Sequence, residues 1–275
     1  MQVSEALKTA RESLSWSDSA QLDAELLLCN VLNCDRSKLY AYPEHRLSDD
    51  LLLDFNHQLK LRQQGHPIAH LLSKKEFWSL ELEVSKDTLI PRPETEQLVE
   101  TALSCVPNRQ SVSILDLGTG SGAIAIAIAS ELPQASITAT DISQPALEIA
   151  RRNADTHKIK NIRFIHSNWF SAIDQQYDVI ISNPPYISFD DPHLKQGDVR
   201  YEPKLALVSG LNGLCDLTTI SKNAVSHLKA DGWLLLEHGF EQGEAVRRLL
   251  EKQAFRHIAT LQDYNELDRV TIGQV

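Results

Sequence analysis

With 275 residues, 42% of them hydrophobic, the chain can bury the core of one large domain or of a large domain joined to a small one, and the second is expected. A net charge of -10 argues against a broad basic face that would neutralise nucleic-acid phosphates. No apolar run approaches the ~20 residues of a membrane span, the N-terminal stretch has no apolar signal core, and the four cysteines form no CxxC pair or metal-spaced cluster with the ten histidines; the expectation is a cytoplasmic protein with reduced thiols and no metal.

Residues 1 to about 72 read as helices only. Val3, Ala6 and Leu7 recur at helical spacing, "SDSAQLDAELLLCNVL" begins at a Ser/Asp cap, and a third helix after "LSDD" carries Leu52, Leu53, Phe55 and Leu59 before Gly65-His66-Pro67 stops it. From Phe77 the period changes to two in "FWSLELEV", a strand or hairpin linking this bundle to the remainder of the chain. From about Ser111 strands alternate with helices: "SVSILDLG", "AIAIAIASEL", "SITATDIS", "PALEIARRNADTH", "NIRFIHSN", "YDVIISN", then "GWLLLEHG", "GEAVRRLLEKQ" and "DRVTIGQV". That alternation predicts an α/β sheet covered on both faces, with ligands outside the carboxyl ends of its strands.

After the first of these strands comes Gly118-Thr119-Gly120-Ser121-Gly122, a GxGxG loop that lets a ligand approach the backbone. It departs from the dinucleotide spacing GxGxxG, with Ala123 where the last glycine would stand. The next strand ends at Asp141, roughly twenty residues on, where a carboxylate can accept from ribose hydroxyls or merely cap the following helix. Together they favour an adenosine-type cofactor without choosing between NAD and S-adenosylmethionine. Trp169, after the third strand, can lie against an adenine or fill a core.

The strand "DVIIS" runs into Asn183-Pro184-Pro185-Tyr186. Two prolines fix φ and lack N–H groups, so the Asn183 side-chain oxygen and the Pro184 carbonyl become two acceptors on a rigid frame. Two acceptors suit a substrate NH2 whose delocalised lone pair makes it a poor nucleophile, and they can aim that lone pair at an electrophilic methyl. Tyr186 offers a face for a planar group. The plainer reading is an edge turn with a prolyl stop.

With these residues the chain resembles the class I S-adenosylmethionine-dependent methyltransferases that carry [Asn/Asp]-Pro-Pro-Tyr and methylate planar nitrogen. Nearly its full length is similar to the PrmC/HemK family, which methylates the side-chain amide of the glutamine in the Gly-Gly-Gln motif of bacterial peptide chain release factors. The similarity is carried by "EFWSLELEVSKDTLIPRPETEQLVE" (76 to 100), "ILDLGTGSGAIAIAIA" (114 to 129), "NWF" (168 to 170), "NPPYI" (183 to 187), "RYEPKLALVSGLNGL" (200 to 214) and "LLLEHGFEQGEAV" (234 to 246). The run Ile90 to Glu96 distinguishes this family from other NPPY enzymes.

The resemblance implies a doubly wound, mostly parallel seven-stranded sheet of the class I methyltransferase type with a small all-helical N-terminal domain. It implies a helical bundle at 1–73 that binds the release factor, a hairpin linker at 74–92 and a catalytic domain at 93–275. By the same resemblance Gly118, Thr119, Gly120, Ser121 and Gly122 cradle the methionine end of S-adenosylmethionine, which leaves as S-adenosylhomocysteine. Asp141 binds the ribose, Trp169 lines the adenine pocket, and Asn183 sits between cofactor and substrate. Asn183, Pro184, Pro185 and Tyr186 form the glutamine site, with Arg92 lining it from the linker. Class 1 release factors are the expected partners of a monomer that binds no nucleic acid stably and no membrane.

Two residues depart from the family pattern. Asn168 stands where many relatives have an acid, and Ser73 where a glycine is common, which puts the loop conformation there in question. The main alternative is an adenine amino-group methyltransferase acting on nucleic acid, which the acidic charge and the Ile90–Glu96 run count against. A non-enzymatic module does not explain glycine loop, Asp141 and NPPY in one chain, and an NAD-dependent dehydrogenase lacks the GxGxxG spacing.

Overall fold

The computed structural model describes residues 1–106 and 111–275, and their contacts divide into two compact units. Met1–Lys74 and His193–Tyr201 form the first; Lys75–Pro192 and Glu202–Val275 form the second.

Five helices build the first unit: Val3–Ser13, Ala20–Leu32, Arg36–Ala41, Asp49–Gln63 and Ile68–Leu72. Ala6, Ala10, Leu27, Leu28, Phe55 and Leu59 close its core. The helices of six and five residues escape a periodicity reading because they hold fewer than two turns. Buried Arg62 explains how a segment far along the chain joins this unit. Its guanidinium donates to Asp23 at 2.8 Å, to the His66 carbonyl at 3.0 Å and to Asp198 at 3.1 Å. At the end of the last helix Ser73 is left-handed, φ 56°, ψ 22°, the conformation a glycine adopts without strain.

The second unit opens, one residue into β1, with the hairpin of β1 (Lys74–Phe77) and β2 (Leu80–Glu83). The "FWSL" alternation is thus two strands around a two-residue turn, with Trp78 and Ser79 both at positive φ (54° and 58°) as a type I′ turn requires. Beyond it come β3 (Ser113–Leu117), β4 (Ser136–Asp141), β5 (Ile162–His166), β6 (Tyr177–Ser182), β7 (Ile187–Ser188), β8 (Val208–Ser209), β9 (Leu228–Glu237), β10 (Arg256–Gln262) and β11 (Asp268–Gln274). Seven of them make the main sheet, in the order β10-β11-β9-β6-β3-β4-β5. Pairing is parallel from β9 to β5 and antiparallel around β11.

Alternate residues feed opposite cores, as a sheet covered on both faces demands. Ile114, Val179, Ile181 and Leu235 join one cluster with the helix Ala123–Glu131; Leu115, Leu117, Ile180, Leu234 and Leu236 join the other with the helix Cys215–His227. From β3 the chain crosses to β4 on one side, while β6 pairs on the other. This reversal of strand order opens a crevice at the carboxyl ends of β3 and β6, where the glycine loop and Asn183 emerge.

Candidate active site

Gly118, Gly120 and Gly122 all have positive φ, at 74°, 56° and 85°. Gly122 is where the helix packs closest: a Cβ there would lie 3.1 Å from Ala150 Cβ and 2.9 Å from the Ile126 side chain. A Cβ on Gly120 would meet nothing within 4 Å, so that position faces open space. Thr119 and Ser121 are buried and act on the loop itself. The Thr119 hydroxyl donates to Asp116 Oδ2 at 2.6 Å, and the Ser121 carbonyl accepts from Asn153 Nδ2 at 2.9 Å. The other Asp116 oxygen has no partner among the described residues, and burial pushes this carboxyl up to about 7.

Asp141 accepts from the Gly120 N–H through Oδ2 and from the Ser143 N–H through Oδ1, both at 2.8 Å. Ser143, not Asp141, caps the helix Gln144–Thr156 by accepting from the Ala146 N–H. Burial raises the Asp141 carboxyl. Its two oxygens keep further acceptor capacity at the edge of the crevice.

The crevice is a cleft of about 260 Å³ lined by Gly118, Gly120, Asp141, Asn168, Trp169, Asn183 and Pro185, among others. The Trp169 ring lies over Gly118, where an added Cβ would come within 3.4 Å of it, and its Nε1 donates to Asp216 at 3.2 Å. Asp216 also edges the cleft and accepts from the Ser209 hydroxyl at 2.7 Å.

Asn183 turns its Nδ2 inward, donating to the buried Thr95 hydroxyl oxygen at 3.3 Å, which leaves Oδ1 as the group with spare acceptors. Pro184 is buried and Pro185 lines the cleft. The Tyr186 carbonyl accepts from Gln242 Nε2 at 3.0 Å, and Gly213 passes so close that a Cβ there would stand 2.0 Å from that carbonyl oxygen. Burial drives the Tyr186 hydroxyl far up its range, while Arg269 and Arg92 pull it back. Tyr186 and Arg92 do not belong to the cleft lining; Arg92 pairs with Glu202, whose other oxygen accepts from the Ile90 N–H at 3.1 Å.

The Ile90–Glu96 run is thus a frame, with Thr95 meeting Asn183 and Glu96 accepting from the Trp78 N–H at 2.8 Å. Sequence reading passed over three site residues. Asp216 and Gln242 are held there by contacts remote in the chain, but Glu237, 1% exposed, had a signal: an acid closing the apolar run "LLLE". Burial pushes its carboxyl up to about 7.

Comparison with known proteins agrees with this architecture. Residues 96–195 match the family model "Methyltransferase small domain" and residues 5–72 match "PrmC N-terminal domain". A solved methyltransferase from Pyrococcus furiosus superposes with a TM-score of 0.55 at 19% identity, covering 80% of this chain and 98% of that one, a likeness of fold. Two curated relatives named release factor glutamine methyltransferase are similar along the whole chain: that of Vibrio cholerae is 49% identical over 99% of this chain and 96% of its own length, and that of Aliivibrio fischeri 48% over 100% and 98%. Identity of that degree over both full lengths, on a fold whose glycine loop and NPPY turn meet at one crevice, places this chain in the release factor glutamine methyltransferase family.

Proposed function

We propose that the protein transfers a methyl group from S-adenosylmethionine to the side-chain amide nitrogen of the glutamine in the Gly-Gly-Gln motif of class 1 bacterial release factors. The observation that carries this reading is the Asn183 amide, its nitrogen held inward by Thr95 and its oxygen left to accept beside the glycine loop.

The residues present fit the cofactor. Gly120 opens onto free space, Gly118 lies under Trp169, and Asp116 has one oxygen without a hydrogen-bond partner among the described residues. The glycine loop would hold the methionine end, Asp141 the ribose hydroxyls and Trp169 the adenine. When bound, the cofactor supplies an electrophilic methyl on a positively charged sulfur.

The chain's own part is positioning. Asn183 Oδ1 and the Pro184 carbonyl accept the two amide hydrogens and hold the nitrogen lone pair toward the methyl; the N–C bond would form as the sulfur–methyl bond breaks, and the nitrogen, made acidic by the transfer, would release its surplus proton to water without a strong base. The prolines keep those acceptors from relaxing, and Gln242 anchors the turn through the Tyr186 carbonyl. Tyr186 and Arg92 stand behind the cleft and not in its lining, where Tyr186 backs the turn and Arg92 braces the linker through Glu202. The helical unit takes up the factor, and the protein works as a cytoplasmic monomer without stable nucleic acid or membrane contact. Among the described residues no helix is long and apolar enough to cross a membrane.

Purified release factor incubated with methyl-labelled cofactor and this protein should carry one methyl on the Gly-Gly-Gln glutamine by peptide mass spectrometry. Label on DNA or RNA in place of the factor would support the adenine-directed alternative and defeat this one.

A further inference from the structure

Glu237 closes β9 at the carboxyl edge of the sheet. Its predecessor Leu236 pairs with Ser182 in β6, so Glu237 stands beside Asn183. A carboxylate taken wholly out of water is costly to keep, and here one oxygen, Oε2, has no hydrogen-bond partner among the described residues. Such a group calls for a reason beyond packing.

Its surroundings supply one. By strand register Glu237 stands next to Asn183, whose Nδ2 is held by Thr95 Oγ1 at 3.3 Å, and the polar groups of both residues favour the charged form of the carboxylate. Arg269 faces it from β11 and also favours the charge; Glu94, beside Thr95, opposes it, and the Tyr186 hydroxyl shares the same space. His238, next in the chain, has both ring nitrogens engaged, with Thr271 at 2.8 Å and the Gly239 carbonyl at 2.9 Å. Thr95 Oγ1 accepts from Asn183 Nδ2, which leaves its own hydrogen for Glu237. An ionised carboxylate can only accept, so it draws in both the Thr95 hydrogen and the Asn183 amide hydrogens. A protonated one can donate to Thr95 or to Asn183 Oδ1, and the amide then loses its reason to keep nitrogen inside.

We propose that Glu237 is a positioning residue whose carboxylate, with Thr95, fixes the Asn183 amide so that its oxygen, not its nitrogen, faces the substrate. The assignment rests on the proposed glutamine transfer, since it concerns the acceptor in that reaction. Turnover then rises as Glu237 loses its proton, giving an acid limb centred near the value of about 7 to which burial pushes it. Asp116, pushed up to about 7 in the glycine loop, would give a limb at the same place, so the variant decides between the two.

The test compares the wild type with Glu237→Gln and Glu237→Asp. Glu237→Gln should lower kcat at pH 8 by about ten-fold or more, change KM for the factor and cofactor affinity by less than about three-fold, and erase the acid limb. Glu237→Asp, keeping an acceptor-only carboxylate, should restore part of kcat and retain the limb. A Glu237→Gln enzyme with wild-type kcat, or one slowed with its limb intact, overturns the proposal. The orientation is also read without substrate: the Asn183 side-chain amide signals in 15N NMR should move between about pH 6 and 8 in the wild type and stay fixed in Glu237→Gln. A wild type that methylates no glutamine defeats the functional reading, and the amide signals then decide the positioning claim alone, their invariance with pH counting against it.

Discussion

The Asn183 side chain meets Thr95 on its inner side and the cleft on its outer side, so truncation there acts on the nucleophile more than on the cofactor. Asn183→Ala should cut kcat by about a hundred-fold or more, with cofactor affinity within a few-fold, measured by steady-state kinetics and calorimetry. Asp141→Ala should do the reverse. Its carboxylate holds the Gly120 N–H and, in the role proposed for it, would accept from the ribose, so calorimetry should show cofactor affinity weakened by roughly 2–3 kcal/mol. Their positions at the carboxyl edge were legible in the sequence, Asn183 because it follows an apolar strand and Asp141 because it ends a strand roughly twenty residues past the glycine loop. Glu237 follows an apolar strand too, yet a single acid with no motif around it reads as a strand end; only its pairing register beside β6 shows what it faces.

Elements hold this turn from outside. β7 and β8 are two residues each, and next to them Leu211 and Asn212 adopt positive φ so that Gly213 can pass beneath the Tyr186 carbonyl. Gly213→Ala should therefore displace the NPPY turn and remove most glutamine transfer, while circular dichroism shows an intact fold. No local pattern in "SGLNGL" announces this, because the contact it serves lies in the NPPY segment. Ser73 is the converse case. The family resemblance implies a glycine where this chain has Ser73, and the left-handed helix end at φ 56° is a conformation that favours one. Ser73→Gly should stabilise the protein by about 0.5–1 kcal/mol in urea denaturation, the cost of holding a side chain in that conformation exceeding the added freedom of the unfolded chain.

Over the whole molecule, the alternation of strands and helices made the sheet legible, but β10, "RHIATLQ", was not, since its mixed polar pattern belongs to an edge strand. The attachment of His193–Tyr201 to the helical unit was equally hidden, depending as it does on Arg62 reaching Asp198. The charges set a pH dependence of stability. Asp116 and Glu237 keep their protons more tightly folded than unfolded, so their contribution is full below about pH 4 and is lost as pH rises to and through about 7. Burial alone would raise Asp263 too, but Arg269 and two backbone N–H groups hold it low, and its contribution is lost in the other direction, as pH falls below about 4. Urea midpoints should fall from pH 6 to pH 8, and Glu237→Gln should raise the midpoint at pH 8 while slowing turnover; a variant both slower and less stable there would contradict the cost assigned to that charge.

Glutamine transfer is tested by offering the protein a wild-type release factor, the same factor with alanine for the Gly-Gly-Gln glutamine, and an adenine-containing duplex, each with methyl-labelled cofactor. One methyl is expected per wild-type factor, on that glutamine, and none on the alanine variant or the duplex. Label on the alanine variant or the duplex, or none on the wild-type factor, would contradict it.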